Sequence, residues 1–174
     1  MKILKSTTLL TAFMLVAFFG TTRAQGRPIH EIHSMMIYNF IKYIQWPSSD
    51  QSQNFVIAVI GDDEVYNTLN TWYGGKLRGN KKFVVKKFNS PSEISSCHIL
   101  YVAKGSSKDF DEIRGKLSNS STLIITDKPG LGQKGSGINF RTVNNKLAFE
   151  LNQKVIEQSQ LKVSGQLSSM AILI

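Results

Sequence analysis

Short apolar runs alternate with longer amphipathic or polar stretches along most of this chain. Residues 55–60 (FVIAVI), 98–103 (HILYVA) and 122–126 (TLIIT) are nearly unbroken in β-branched and aromatic side chains. Such runs suit strands covered on both faces, as parallel strands are. Residues 81–88 (KKFVVKKF) form a further strand, flanked by lysines. Between the strands lie helical spacings. Residues 27–46 carry Ile29, Ile32, Met36, Phe40 and Tyr43 at helical intervals, with Ile37, Ile41 and Ile44 widening the stripe. The pattern predicts an opening helix that starts at Pro28 and is stopped by Trp46-Pro47. A second helix is expected over 64–73, capped by an aspartate of Gly61-Asp62-Asp63 and ended by Gly74-Gly75. Residues 89–96 read as a crossover with one helical turn around Pro91. A third helix is expected to be capped by Ser106 or Ser107 and to run to Leu117.

Beyond residue 126 the period changes. A loop over 128–137 holds Gly130, Gly132, Gly135 and Gly137. Two strand-like runs, 138–142 and 146–151, can form a hairpin across Val143-Asn144-Asn145. A helix over 152–158 follows, then a tail over 162–174 in which Val163, Leu167, Met170 and Ile172 read as core-facing. Alternation of strands and helices predicts an α/β three-layer sandwich. Its sheet would be largely parallel or mixed, five- to six-stranded, with helices on both faces.

The first 24 residues do not belong to that pattern. Lys2 and Lys5 precede a charge-free apolar run over 9–20, and Thr22-Arg23-Ala24 offers small residues where a signal peptidase cuts. This predicts a cleaved secretory signal over 1–24 and one folded domain over 25–174. The apolar run is short of the ~20 residues a membrane span needs. Cleavage would leave 150 of the 174 residues, enough for one core, and would remove three of the 21 Lys and Arg. With 18 cations against 12 Asp and Glu, the remaining net charge is +6. Lys76, Arg78, Lys81, Lys82, Lys86 and Lys87 crowd one stretch. In an exported protein this basic face does not point to nucleic acid. A solvated strand edge, an anionic headgroup and an acidic partner stay open.

Few residues promise chemistry. Cys97 is the single cysteine, so no intramolecular disulfide is available. It is the one candidate redox thiol, and an intermolecular bond would require an exposed side chain. His98 beside it should point to the opposite face of the strand. His30 and His33 are three apart on the opening helix, but no third ligand follows at a recognisable spacing, so both read as helix-surface histidines and no metal is expected. Gly130, Gly132 and Gly135 match Gly-x-Gly-x-x-Gly, yet a strand rather than a helix is expected after them. A pyrophosphate would find no helix N-terminus there. Gly61-Asp62-Asp63-Glu64 lies at the carboxyl end of a strand, where open α/β sheets bind ligands, but capping explains the same residues. Glu150 is the lone acid of an apolar strand, a position that more often meets a backbone group or basic neighbour than a substrate. No constellation supports an enzyme, and no cofactor is implied. A strongly perturbed titratable pair in a deep cleft would be the sign of one.

Several segments together resemble the YfiR-like family of exported bacterial regulators: residues 38–47 (YNFIKYIQWP), 55–61 (FVIAVIG), 97–102 (CHILYV), 123–127 (LIITD) with the glycines after it, 138–140 (INF), 147–152 (LAFELN) and 161–164 (LKVS). The resemblance implies a periplasmic, non-enzymatic α/β protein. In the best-known members it implies repression of an inner-membrane diguanylate cyclase through its periplasmic domain, and so control of cyclic-di-GMP and biofilm formation. It also implies homodimers. Family disulfides tune such members, but Cys97 has no partner here, so that switch should not operate. The partner expected is the outer domain of a membrane cyclase or other sensor, with membrane contact only indirect. A small-ligand sensor is the rival reading. Trp46, Asp62, Asp63, Glu150 and Asn152 are the candidate ligand- or partner-reading residues. The opening helix and the lysine-rich strand are the candidate surfaces.

Overall fold

A computed structural model describes residues 26–174; the expected signal over 1–24 lies outside the described residues. In chain order the elements are α1 (Ile29–Phe40), β1 (Ile44–Gln45), β2 (Asn54–Ile60), α2 (Asp63–Tyr73), β3 (Leu77–Arg78), β4 (Lys81–Phe88), β5 (Ile99–Val102), α3 (Phe110–Leu117), β6 (Leu123–Thr126), β7 (Ile138–Val143), β8 (Lys146–Leu151), α4 (Gln153–Gln158), β9 (Lys162–Val163), α5 (Gly165–Met170) and β10 (Ile172–Leu173). Eight strands form one sheet in the order β10-β8-β7-β6-β5-β2-β4-β3, and β1 pairs with β9 separately. The sheet is mixed. Strands β4, β2, β5, β6 and β7 run parallel, while β3 runs antiparallel to β4, β8 runs antiparallel to β7, and β10 pairs parallel to β8. The six longer strands answer to the expected five or six. The two-residue strands β3 and β10 extend the sheet beyond that count, one at each edge.

Alternation along the central strands divides the interior in two. Phe55, Ile57, Val59, Ile99, Tyr101, Leu123 and Ile125 face the larger core, with Ile37 and Phe40 of α1 and Val65 and Leu69 of α2. Ala58, Ile60, Leu100, Val102 and Ile124 face the smaller one, with Phe110, Ile113 and Leu117 of α3. Helices therefore cover both faces, as the doubly apolar runs require.

Local chemistry sets the turns. Asp62 caps α2 by accepting from the Val65 N–H at 2.9 Å, and Asn152 caps α4 by accepting from Val155 N–H at 3.1 Å. Asn144 and Asn145, at φ 50° and 60°, close the β7–β8 hairpin, a conformation that asparagine tolerates better than most residues. In the glycine loop, Gly130 and Gly135 take φ of 86° and 116°. Gly132 is pinned differently: a Cβ there would lie 2.7 Å from both Glu150 Oε2 and Ile174 Cδ1. The loop leads into a strand, and its glycines serve a tight path against the β8 end of the sheet.

Three expectations need correction. The opening helix ends at Phe40, not near Trp46. The apolar residues after it leave helical hydrogen bonding because β1 pairs with β9, and Ser164 N–H donates to the Tyr43 carbonyl at 2.9 Å. Neither Ser106 nor Ser107 caps α3. They sit within a 3-10 segment, Lys104–Asp109, and α3 starts at Phe110 without a side-chain cap. Met170, the last residue of α5, and Ile172, on the edge strand β10, are exposed rather than core-facing; Leu167 is buried as expected.

Candidate functional site

The carboxyl ends of the parallel strands gather an unexpected set of polar side chains. His33 lies on the face of α1 turned to the sheet and is buried. Its ring stacks on Phe140 of β7, centroids 4.4 Å apart. Its Nδ1 is 3.1 Å from the hydroxyl of Tyr101, a fully buried residue of β5. That hydroxyl donates to Asp127 Oδ2 at 2.9 Å, and Asp127 is the first residue past β6. A hydroxyl has one proton to give. Donating it to Asp127, it accepts from His33 Nδ1–H, which leaves Nε2 of the neutral ring as an acceptor. Burial lowers the His33 pKa to about 4, against a smaller opposing pull from Asp62. Burial raises the Tyr101 hydroxyl far above its ordinary range, with Asp127 adding to the rise. Burial also raises Asp127; the Tyr101 hydroxyl and the Lys104 N–H oppose that rise, and Asp62 adds to it. Among the described residues, Asp127 Oδ1 is the one buried side-chain N or O atom without a hydrogen-bond partner. Burying an acceptor unpaired costs about 1–3 kcal/mol, so this atom calls for an explanation.

His33 and Asp127 line a cleft of about 580 Å³, with Phe140 and Leu147 in its wall, Ile29, Pro129, Gly130 and Gln133 around it, and Arg141 and Glu150 to one side. The volume is in the range of small-molecule sites. Glu150 is nearly buried and fully engaged. Its Oε1 accepts from Arg141 Nη1 at 2.8 Å, and its Oε2 from Asn139 Nδ2 at 2.9 Å. Thr126 Oγ1 donates to Asn139 Oδ1 at 2.7 Å and extends the chain inward.

The residues singled out from sequence do not form one site. Glu150 lines the cleft, and Asn152 sits near it, its Nδ2 donating to the Gly132 carbonyl at 3.0 Å. Asp62 belongs to the same end of the sheet but spends its side chain on the α2 cap. Asp63 is exposed and pairs with Lys87 at 2.7 Å. Trp46 lies at the opposite end, where its Nε1–H donates to the His98 carbonyl at 3.3 Å and its ring meets Phe55 edge-on. Cys97 is buried in the smaller core, and burial pushes its thiol up to about 12. The exposure that an intermolecular bond would need is absent. His98 does face away from it, stacking on Phe55.

His30 and His33 also separate. His30 is partly exposed and lies 3.1 Å from Glu64, whereas His33 is inside, which corrects the helix-surface reading for that residue. Its position could have been found: 33 falls four before Ile37 and seven before Phe40, on the inward stripe of α1. Among the described residues no group of three or more His, Cys, Asp or Glu could hold a metal ion.

Comparison with known families now bears on this arrangement. A family model described as YfiR/HmsC-like matches residues 30–172, which spans all but the edges of the described fold. The chain belongs to the YfiR/HmsC-like family. That family is regulatory and non-catalytic, its members are periplasmic, and its context is the control of diguanylate cyclase pathways. A search of curated proteins finds no match to the chain. The cluster of His33, Tyr101 and Asp127 lies within the matched residues.

Proposed function

We propose that this YfiR/HmsC-like protein is a secreted periplasmic regulator that docks on the outer domain of an inner-membrane signalling protein, a diguanylate cyclase, and changes its activity. The observation that carries the reading is the family match over residues 30–172. Docking alters a partner only if the partner's two states bind with different affinity; a difference of ~3 kcal/mol changes their ratio about 150-fold. The surface we assign is the β10 edge, where Met170, Ile172, Leu173 and Ile174 are all exposed. Clustered exposed apolar side chains beside an unpaired strand edge suit a protein partner. The opening helix is a poorer candidate than its sequence suggested, because His33, Ser34, Ile37 and Phe40 turn into the protein. A homodimer, if formed, would leave one such edge on each copy for its partner or for the other copy.

The test is deletion of the gene followed by complementation, with cellular cyclic-di-GMP as the readout. Deletion should change the level, wild type should restore it, and Leu173→Lys should fold normally yet fail to restore it. An unchanged level on deletion would rule out the cyclase partner. A second reading, a small-ligand sensor, is favoured by the cleft of about 580 Å³ at the carboxyl ends of the strands, which Glu150 also lines.

A further inference from the structure

We propose that the β3 corner of the sheet docks directly on an anionic lipid surface. Three elements end together there. Tyr38, near the end of α1, stacks on Tyr73, the last residue of α2, with centroids 3.9 Å apart. Lys42 Nζ lies 5.7 Å from the centroid of the Tyr38 ring, and Lys76 Nζ 6.0 Å from that of Tyr73. Trp72, half-buried, meets Tyr73 edge-on at 6.2 Å. Arg78 of β3 donates from Nη2 to the Ile41 carbonyl at 2.8 Å, which ties the edge strand to the end of α1. Residues 65–92 hold six Lys and Arg and no Asp or Glu, and residues 32–49 add Lys42 without an acid. Lys81 is spent on Asp50 and Lys87 on Asp63. Lys42, Lys76, Arg78 and Lys82 are exposed, and among the described residues none of them is in an ion pair.

Lysines on a sheet edge guard it against aggregation, and that alone would explain the charge. It does not explain Leu77. Leu77 is 74 % accessible, the most exposed large apolar side chain among the described residues, and it stands between Lys76 and Arg78 on the outermost strand. A guarded edge gains nothing from a leucine in water. A leucine flanked by cations and backed by Trp and Tyr suits the boundary of a bilayer. There the aromatic rings sit at headgroup depth, the cations meet phosphates, and the apolar side chain enters the acyl region. An acidic protein would satisfy the cations, but it would need a recess placed for one lone leucine; a bilayer seats it anywhere. The membrane contact is then direct, not the indirect one that the family resemblance implied. The β10 edge lies at the other side of the sheet and stays free for a protein partner.

The experiment is co-sedimentation of the protein, purified from the periplasm, with vesicles of phosphatidylcholine alone or of two parts phosphatidylcholine to one part phosphatidylglycerol. The protein should bind the anionic vesicles, and high salt should release it. Changing Lys76→Gln, Arg78→Gln and Lys82→Gln together should lower the partition coefficient about 100-fold, about fivefold for each cation removed. Leu77→Ser, a change at an exposed side chain, should lower it about tenfold and leave the salt dependence as it was. Lys108→Gln, Lys134→Gln and Lys154→Gln together remove the same charge from exposed positions outside the corner, and should bind within roughly twofold of wild type. Equal losses in the two triple variants would reduce the effect to net charge and overturn the assignment. So would equal binding to both kinds of vesicle, or binding to neither. Binding to poly-L-glutamate but to no vesicle, lost in the corner variant, would give the surface to an acidic protein instead. Failure here is separate from failure of the cyclase reading, which the cyclic-di-GMP response to gene deletion tests by itself.

Discussion

Each end of the sheet carries a histidine and an aspartate joined with a third polar side chain, and the two ends are completed differently. At the amino end, Asp50 Oδ2 accepts from His98 Nε2–H at 2.9 Å and from Lys81, while its Oδ1 accepts from the Ser52 N–H at 3.0 Å. His98 Nδ1 accepts from Val56 N–H at 3.0 Å, which fixes its tautomer. Burial alone would raise the Asp50 carboxyl, but Lys81, Ser52 and His98 together outweigh it and hold the group well below the usual carboxylate range. At the carboxyl end, Asp127 takes one side-chain hydrogen bond, from the Tyr101 hydroxyl, helped by the Lys104 N–H, and burial outweighs them and pushes the carboxyl up instead. The same residue types thus give a closed structural network in one place and an unfinished one in the other. A completed network ties loops to strands. An unfinished one beside a cleft is where a ligand has something to add.

The largest effect expected at either end comes from the support beneath the carboxyl-end cluster. Phe140 is buried under the His33 ring and near Phe40 and Tyr101. Phe140→Ala should cost about 3–5 kcal/mol by denaturant unfolding. A cost below ~1 kcal/mol would mean that the cleft floor is not part of the core and that the comparison is between a core network and a surface one.

Acid should strike the two ends in different windows. His33 has a pKa of about 4 in the folded protein against 6.5 unfolded, so the unfolded chain binds the extra proton first. Stability from this group is complete above pH 6.5 and is lost as pH falls from 6.5 to 4, about 3 kcal/mol in all. Asp50, a depressed acid, gives stability that is present above 3.8 and lost only below it. Asp127, a raised acid, partly offsets both losses as it takes up its proton. Unfolding free energies measured at pH 7 and pH 4.5 should therefore differ in wild type, and the difference should shrink in His33→Gln. An equal slope in that variant would place the sensitive histidine elsewhere.

What was legible in the sequence divides along the same line between local and distant partners. Strands β2, β5 and β6 announced themselves because no polar residue interrupts them, and the Asp62 and Asn152 caps because capping is a matter of three residues. The Asn144-Asn145 turn was legible for the same reason. The end of α1 was not: Ile41, Tyr43 and Ile44 continue the helical spacing, and only pairing with β9, far along the chain, takes them out of the helix. The site was hidden in the same way. Glu150 could be named as an odd acid in an apolar strand, but Asp127 looked like an ordinary residue after a strand, and Tyr101 like a core aromatic. Their meeting with His33 depends on strand order and on which face α1 covers, neither of which a residue pattern states.

Asp50→Asn tests the closed network. It keeps the shape and removes the charge that Lys81 and His98 serve, leaving partly buried donors without their anion. The expected cost is about 1–3 kcal/mol at pH 7. No measurable change would mean that the amino-end contacts are surface pairing of little worth, and the two ends would no longer differ in the way proposed.

The smallest effect is expected at Asp127, and it is the most telling. Asp127→Asn also keeps the shape and removes a charge, but the charge it removes is one that burial disfavours. The amide oxygen can still accept from the Tyr101 hydroxyl. The variant should be within about 0.5 kcal/mol of wild type at pH 7, or more stable. Paired with the loss in Asp50→Asn, this would show an aspartate kept at the carboxyl end at no gain to the fold, which is the mark of a residue held for what it binds. A loss as large as that of Asp50→Asn would instead make Asp127 a structural anchor for α1, acting through Tyr101 and His33, and would remove the reason to look for a ligand beside it.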